Sequence, residues 1–356
     1  MNKAMQFYAF VAPGLEEIAQ REIAARFGAE LQGQQRGVVF FATDAPPQDL
    51  LGLGTTEDVF ALVARGPVDA GREGLEEAGA LVAESPLFEE AVGAHRRARP
   101  KRIKRITYRI VAQRRSGQQR YVRQEMRRAL QRAVAWRFPR WKHVAEQALL
   151  EVWGLEAAGE LICGVRLSDE TMRHRTYKVA QVEASLRPTV ARALVMLSEP
   201  EDGDVFLDPM CGAGTILIER GMHGRYAQLL GGDIRSDAVA AARTNIGPRY
   251  KPIAIRQWDA RDLPLDDGSV DRVVCNLPFG KKIGEPQALR ALYEGFASEV
   301  ARVLKAGGVA VCLTSERALL AKAFGAWPAL YMERVLPVDV LGQRAFGCKL
   351  KKGADR

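Results

Sequence analysis

Apolar and polar positions alternate over residues 6–12, which predicts a strand. Leu15, Ile18, Ala19 and Ile23, with Glu22 among them, then mark a helix entered just after Gly14. Residues 38–42 read as another strand, and Pro46 and Pro47 punctuate the chain behind it. A second α+β region runs from about Thr55 to a strand at 160–167, and within it Met126, Ala129, Leu130, Ala133 and Val134 recur with helical spacing. From about Glu183 the rhythm changes. Apolar runs at 205–207, 227–232, 253–257, 270–275 and 309–314 alternate with helical segments, which predicts βαβ units and a parallel sheet covered on both faces. Residues 330–338 and 344–350 read as a closing antiparallel pair. The class is α/β, in three regions at 1–54, 55–170 and 175–352, with no internal repeat.

Composition narrows the class of protein. With 47% hydrophobic and 27% charged residues and 17 prolines, the 356-residue chain is globular and neither disordered nor collagen-like. No apolar run approaches the ~18 residues of a membrane span, and the short run at 7–12 meets Pro13, Gly14, Glu16 and Glu17 where a leader would have its small-residue cleavage site. The five cysteines (163, 211, 275, 312 and 348) are scattered and contain no CxxC, so neither a disulfide framework nor a zinc cluster fits. The expectation is a cytoplasmic protein without membrane span or metal. Charge is distributed unevenly. Residues 1–95 hold 6 basic and 15 acidic side chains, Arg96 to Lys142 hold 18 basic against the single Glu125, and residues 143–356 hold 28 against 27. A folded segment of net +17 repels itself unless anions are near, so this stretch, with Tyr108, Tyr121, Trp136, Phe138 and Trp141 interleaved, is expected to bind nucleic acid through its phosphates.

Residues 207–215, Leu-Asp-Pro-Met-Cys-Gly-Ala-Gly-Thr, place a carboxylate at a strand tip, then a glycine turn, then a helix start. In open α/β sheets ligands bind at the carboxyl ends of strands, where glycines let backbone N–H groups approach them. A dinucleotide loop needs a third glycine three residues after Gly214, but Leu217 stands there and argues against NAD. Asp233 follows the second strand, placed for a ribose diol, and Asp259 ends the third. Three acids at successive strand ends suit a cofactor carrying an amino acid, a ribose and an adenine. The cofactor set is therefore Asp208, Met210, Gly212, Gly214, Thr215, Asp233, Ile234, Asp259, Ala260 and Asn276.

The fourth strand ends in Asn276, Leu277, Pro278, Phe279 and Gly280. An amine on an aromatic base is a poor nucleophile because its lone pair is delocalised into the ring. A side-chain amide oxygen and a backbone carbonyl that accept its N–H bonds hold the nitrogen in place and stabilise positive charge as a bond forms. Asn276 and the Leu277 carbonyl supply that pair, and Phe279 offers a face to an unstacked base. Asn276, Leu277, Pro278 and Phe279 form the catalytic set. Cys211 and Cys275 read as structural, the four histidines show no metal spacing, and Lys281 with Lys282 are candidates to grip a phosphate.

Asp208-Pro-Met-Cys-Gly-Ala-Gly-Thr215 with Asn276-Leu-Pro-Phe279 resembles the S-adenosylmethionine-dependent amino methyltransferases of Rossmann type. Ala12-Pro-Gly-Leu-Glu-Glu-Ile18 and Ser185-Leu-Arg-Pro-Thr-Val-Ala-Arg-Ala-Leu194 resemble the THUMP-domain RNA guanine-N2 methyltransferases, so that the likeness spans nearly the whole chain. The resemblance implies a ferredoxin-like domain at 1–54, a THUMP domain at 55–170 that holds the tRNA 3′ end, and a catalytic Rossmann domain at 175–352. It also implies S-adenosylmethionine as cofactor and N2-methylguanosine, in the acceptor stem, as product. The widespread form of the fourth-strand motif is Asn-Pro-Pro-Tyr. Leu277 and Phe279 depart from it but keep a carbonyl and an aromatic face. An N6-adenine or ribosomal-RNA guanine methyltransferase would share every one of these catalytic motifs, whereas intact Asp208, Asp233 and Asn276 argue against the other alternative, a basic RNA-binding module with a vestigial cofactor fold.

Overall fold

The computed structural model describes residues 4–100, 105–115, 120–183, 185–279, 286–340 and 342–353. The chain divides into two compact units. One comprises Met1–Phe10 with Glu22–Met172, the other Val11–Arg21 with Arg173–Arg356.

As far as Arg166 the elements run β1 (Met5–Val11), α1 (Glu16–Phe27), β2 (Glu30–Gln35), β3 (Val38–Thr43), β4 (Thr56–Pro67), α2 (Glu73–Ala83), α3 (Phe88–Ala98), β5 (Thr107–Arg114), α4 (Arg123–Arg137), β6 (Lys142–His143), β7 (Leu150–Ala157) and β8 (Glu160–Arg166). The strands form one eight-stranded sheet in the order β2-β3-β1-β4-β8-β7-β5-β6, so the boundary expected near residue 54 lies between elements of a single sheet. All six residues of β3 are buried, as its apolar run demands. Edge strand β2, Glu-Leu-Gln-Gly-Gln-Gln, is almost wholly exposed and escapes a hydrophobic reading because it has no face to bury. Parallel strands β5 and β7 are joined through α4, whose buried face consists of the five predicted residues Met126, Ala129, Leu130, Ala133 and Val134.

The second unit follows with α5 (Glu170–His174), α6 (Pro188–Leu197), β9 (Val205–Asp208), α7 (Thr215–His223), β10 (Gln228–Asp233), α8 (Ser236–Ile246), β11 (Ile253–Gln257), β12 (Val270–Asn276), α9 (Pro286–Val303), β13 (Leu304–Thr314), α10 (Arg317–Gly325), β14 (Leu330–Val340) and β15 (Gln343–Lys352). Seven strands are ordered β11-β10-β9-β12-β13-β15-β14, parallel as far as β13 and antiparallel beyond it. Alternate strand residues feed two cores. Phe206, Val274, Val311 and Leu313 pack with α6 and α7, while Leu207, Val273, Cys275 and Ala310 pack with α9 and α10. Among the described residues no helix is long and apolar enough to cross a membrane.

The segment Val11–Arg21 belongs to this unit through its packing. Ala12, Leu15 and Ile18 share a buried cluster with Val190, Leu194 and Val338. The Asp339 N–H donates to the Pro13 carbonyl at 2.9 Å, and Arg334 pairs with Glu17. Gly14 has φ +97°, and a Cβ there would lie 1.9 Å from the Pro337 carbonyl oxygen, so only glycine fits.

Candidate active site

Strand order reverses between β9 and β12, the place where an open parallel sheet leaves a crevice at its carboxyl edge. Asp208 ends β9 and Asn276 ends β12 on either side of it. The glycine turn after Asp208 is held by its own backbone and by the neighbouring strand. Cys211 N–H donates to the Gly232 carbonyl (2.8 Å), Gly214 N–H to the Cys211 carbonyl (2.8 Å) and Gly212 N–H to Asp233 Oδ2 (3.0 Å). Gly212 and Gly214 take left-handed φ of +51° and +78°. A Cβ on Gly214 would press at 3.3 Å on Ala242 and Ile246 of α8. Buried Thr215 then begins α7, and half-buried Met210 faces the second core.

Asp208 is 1% exposed, and its Oδ1 has no hydrogen-bond partner among the described residues. Burial pushes its carboxyl well above the usual carboxylate range, Asp233 adds to the rise, and the Met210 N–H partly opposes it. Asp233 spends one lone pair on Gly212 N–H and another, at Oδ1, on Arg235 N–H (3.1 Å), leaving lone pairs on both oxygens for a further donor. Ile234 beside it is 60% exposed, a large apolar side chain in water at the strand end. Asp259 is engaged by Arg261, whose Nε lies 3.0 Å from Oδ1 and whose Nη2 lies 2.6 Å from Oδ2, and these bonds hold its carboxyl below the usual range. Ala260 is buried in the second core.

Two residues that the strand-end pattern does not single out complete the turn. Trp258 donates from Nε1 to the Pro209 carbonyl (3.0 Å) while its ring lies against Gly232. Asn245, 1% exposed on α8, accepts Val179 N–H (3.0 Å) and Ala180 N–H (2.8 Å) at Oδ1, and donates from Nδ2 to the Ala180 carbonyl (2.8 Å) and the Ala213 carbonyl (3.0 Å). It thereby clips the stretch before α6 to the glycine turn. The signal available in sequence was a lone polar residue on the buried face of a helix.

Asn276 Oδ1 is also buried without a partner among the described residues, as are the hydroxyls of Ser185 and Thr189. Leu277 is buried, with its N–H on the Leu313 carbonyl at 3.0 Å, whereas Pro278 and Phe279 are half-buried and Phe279 rests on the first core. Unsatisfied buried oxygens cost free energy unless something supplies a donor, and a ligand site is where that cost is relieved. Gly280, Lys281 and Lys282 lie outside the described residues. Cys211 and Cys275 are buried, and burial raises both thiols well above their ordinary value, so neither presents a thiolate.

The basic stretch is sorted by its partners. Arg137 is committed to Glu89, Arg109 to Glu151, and Arg99 to Asp169. Arg115 donates to the Arg36 carbonyl, and Arg114 lies 5.6 Å from the Tyr121 ring centre. On the outer face of α4, Arg123, Arg127, Arg128 and Arg132 are exposed and make no ion pair among the described residues. Of the interleaved aromatics, Tyr108 and Tyr121 are buried and Phe138 stacks on Trp141 at 3.9 Å, but Trp136 is 72% exposed. Residues 101–104 and 116–119 of the stretch lie outside the described residues.

Residues 175–336 match the family model UPF0020, described as an RMKL-like methyltransferase domain. The crystal structure of TrmN from Thermus thermophilus superimposes with a TM-score of 0.79 at 24% identity, over 98% of this chain and 99% of that one. The second unit has a methyltransferase fold. Among the relatives, a tRNA (guanine(6)-N2)-methyltransferase of Thermus thermophilus is 29% identical over 94% of this chain and 96% of its own length. The tRNA (guanine(6)-N(2))-methyltransferase THUMP3 of Bos taurus is 35% identical over 46% of this chain. The match spans 35% of that bovine protein, and 41% of its counterpart in Mus musculus.

Proposed function

We propose that the chain is an S-adenosylmethionine-dependent methyltransferase that forms N2-methylguanosine in the acceptor stem of tRNA. In this reading the methyltransferase domain at 175–352 is preceded by a ferredoxin-like region at 1–54 and a THUMP RNA-binding region at 55–170. The observation that carries it is the buried Asn276 Oδ1 at the end of β12, which, like Asp208 Oδ1 across the crevice, has no hydrogen-bond partner among the described residues. The names borne by the relatives agree with it.

S-adenosylmethionine, when bound, supplies an electrophilic methyl group on a sulfonium sulfur. Asp208 and the glycine turn, with Met210, Gly212, Gly214 and Thr215, hold its amino-acid end. Asp233 accepts from the ribose hydroxyls, Ile234 and Ala260 cover the adenine, and Asp259 accepts from its amine. Asn276 Oδ1 and the Leu277 carbonyl each accept an N–H of the guanine amine and fix the nitrogen. Both also stabilise the positive charge that grows there during transfer. Phe279 stacks on the unstacked base, and the excess amine proton leaves to solvent without a tuned base. Within the basic stretch Arg96 to Lys142, the arginine face of α4 grips the phosphates of the tRNA 3′ end and acceptor stem.

Nucleoside mass spectrometry of tRNA incubated with protein and S-adenosylmethionine tests the reading. N2-methylguanosine is expected. N6-methyladenosine would transfer the reading to adenine, and RNA binding without any methylated nucleoside would leave a binding module with a vestigial cofactor fold.

A further inference from the structure

A buried hydroxyl chain ends on the segment that follows Asn276. Tyr293 on α9 is fully buried, and its hydroxyl lies 3.3 Å from the Pro278 carbonyl oxygen and 2.7 Å from Thr314 Oγ1 at the end of β13. Thr314 Oγ1 in turn accepts the Glu316 N–H at 2.8 Å. Proton counting fixes the direction of the chain. A carbonyl only accepts, so the single proton of Tyr293 goes to Pro278. The proton of Thr314 then goes to Tyr293, and Glu316 N–H supplies Thr314. Burial raises the Tyr293 phenol above its ordinary value, so it remains a donor across the working pH range.

The backbone around this bond has few torsions left. Leu277 N–H is tied to the Leu313 carbonyl, continuing the register in which Asn276 pairs with Leu313. As the residue before a proline, Leu277 is confined to extended conformations, and the ring locks φ of Pro278. The soft torsion that remains is ψ of Pro278, which sets the direction in which Phe279 leaves the strand. Pinning the Pro278 carbonyl fixes that torsion. We propose that Tyr293 is a positioning residue for methyl transfer, its hydroxyl setting the Pro278–Phe279 peptide and with it the aromatic face on which the target base rests. The inference depends on the methyl-transfer reading above and extends it to a residue that touches neither cofactor nor base.

Tyr293→Phe deletes one oxygen and keeps the packing. It is expected to lower single-turnover methylation of tRNA roughly tenfold, the scale of one hydrogen bond, while S-adenosylmethionine affinity stays within twofold. Amide hydrogen exchange in a peptide containing Phe279 should quicken in the free protein, with the slowest core amides unchanged. In a Phe279→Ala background the same change should cost less than twofold, because the face to be positioned has gone. Thr314→Ser, which keeps the hydroxyl, should turn over like wild type. A Tyr293→Phe protein with wild-type turnover and wild-type exchange at Phe279 would overturn the positioning role. Equal losses in both backgrounds would also overturn it, by reducing Tyr293 to a general packing residue. A wild-type protein that makes no methylated nucleoside would instead overturn the methyl-transfer reading, and the positioning role with it.

Discussion

Asp208 illustrates at the scale of one residue how a site is maintained against stability. Its carboxyl is raised by burial, with one oxygen unpartnered among the described residues, so the folded protein binds that proton more tightly than the unfolded chain does. The stability attached to this group is fully present below the unfolded carboxylate value, about 4, and is lost as pH rises through the raised folded value. Asp208→Asn should therefore raise the thermal midpoint of the cofactor-free protein at pH 7 to 8, and the gain should vanish as pH falls toward 4, as a calorimetric pH series would read. The same change should weaken S-adenosylmethionine binding about tenfold or more, the scale of a lost charge-assisted hydrogen bond. A variant that is no more stable at neutral pH, or that binds as before, would mean that the carboxylate is not held for a ligand.

At the scale of elements, two segments carry expectations that sequence alone would have misplaced. The start of α1 packs with the C-terminal core, where Ile18 is 2% exposed and Gly14 lies against Pro337. Ile18→Ala should cost about 2 to 5 kcal/mol, and Gly14→Ala at least ~1 to 3 kcal/mol from overpacking alone, both read as earlier chemical unfolding of the C-terminal unit. A fragment starting near residue 175 would lack this segment and leave Val190, Leu194 and Val338 uncovered. Hydrophobic periodicity identified the helix and its apolar face but not the surface that buries it, because that surface lies more than 160 residues further along the chain. The basic stretch divides in a similar way. Neutralising Arg128 with Arg132 should weaken tRNA binding and flatten its log-log salt dependence by about 0.7 to 0.9 for each phosphate that is no longer neutralised. Trp136→Ala should cost roughly 1 to 3 kcal/mol of RNA affinity if a base stacks there. Arg137→Ala should instead disturb its pairing with Glu89 and change stability more than RNA binding. Filter binding across a salt series, with thermal melts alongside, separates these cases. Equal effects of all three on RNA binding would contradict the division.

At the scale of the whole molecule, the parallel sheet, its closing antiparallel pair and the α4 face were legible because each has strong periodicity. So was the placement of Asp208, Asp233 and Asn276 at strand ends, since strand, acid and glycine turn are adjacent in sequence. What was not legible depends on side-chain geometry. Asp259 is committed to Arg261 two residues on, and Phe138 stacks on Trp141 three residues on, although neither spacing announces the contact. Asn245 and Tyr293 are single polar residues on buried helix faces, and only coordinates reveal the backbone groups they hold. In the proposed function, Asn276 positions an exocyclic amine for methyl transfer. The most direct measurement is the single-turnover rate of N2-methylguanosine formation in tRNA by wild type and Asn276→Ala, with cofactor and RNA both saturating. A fall of about 100-fold or more is expected, the scale of a lost charge-stabilising group, with both affinities nearly unchanged. Methylation by Asn276→Ala at the wild-type rate would contradict that role.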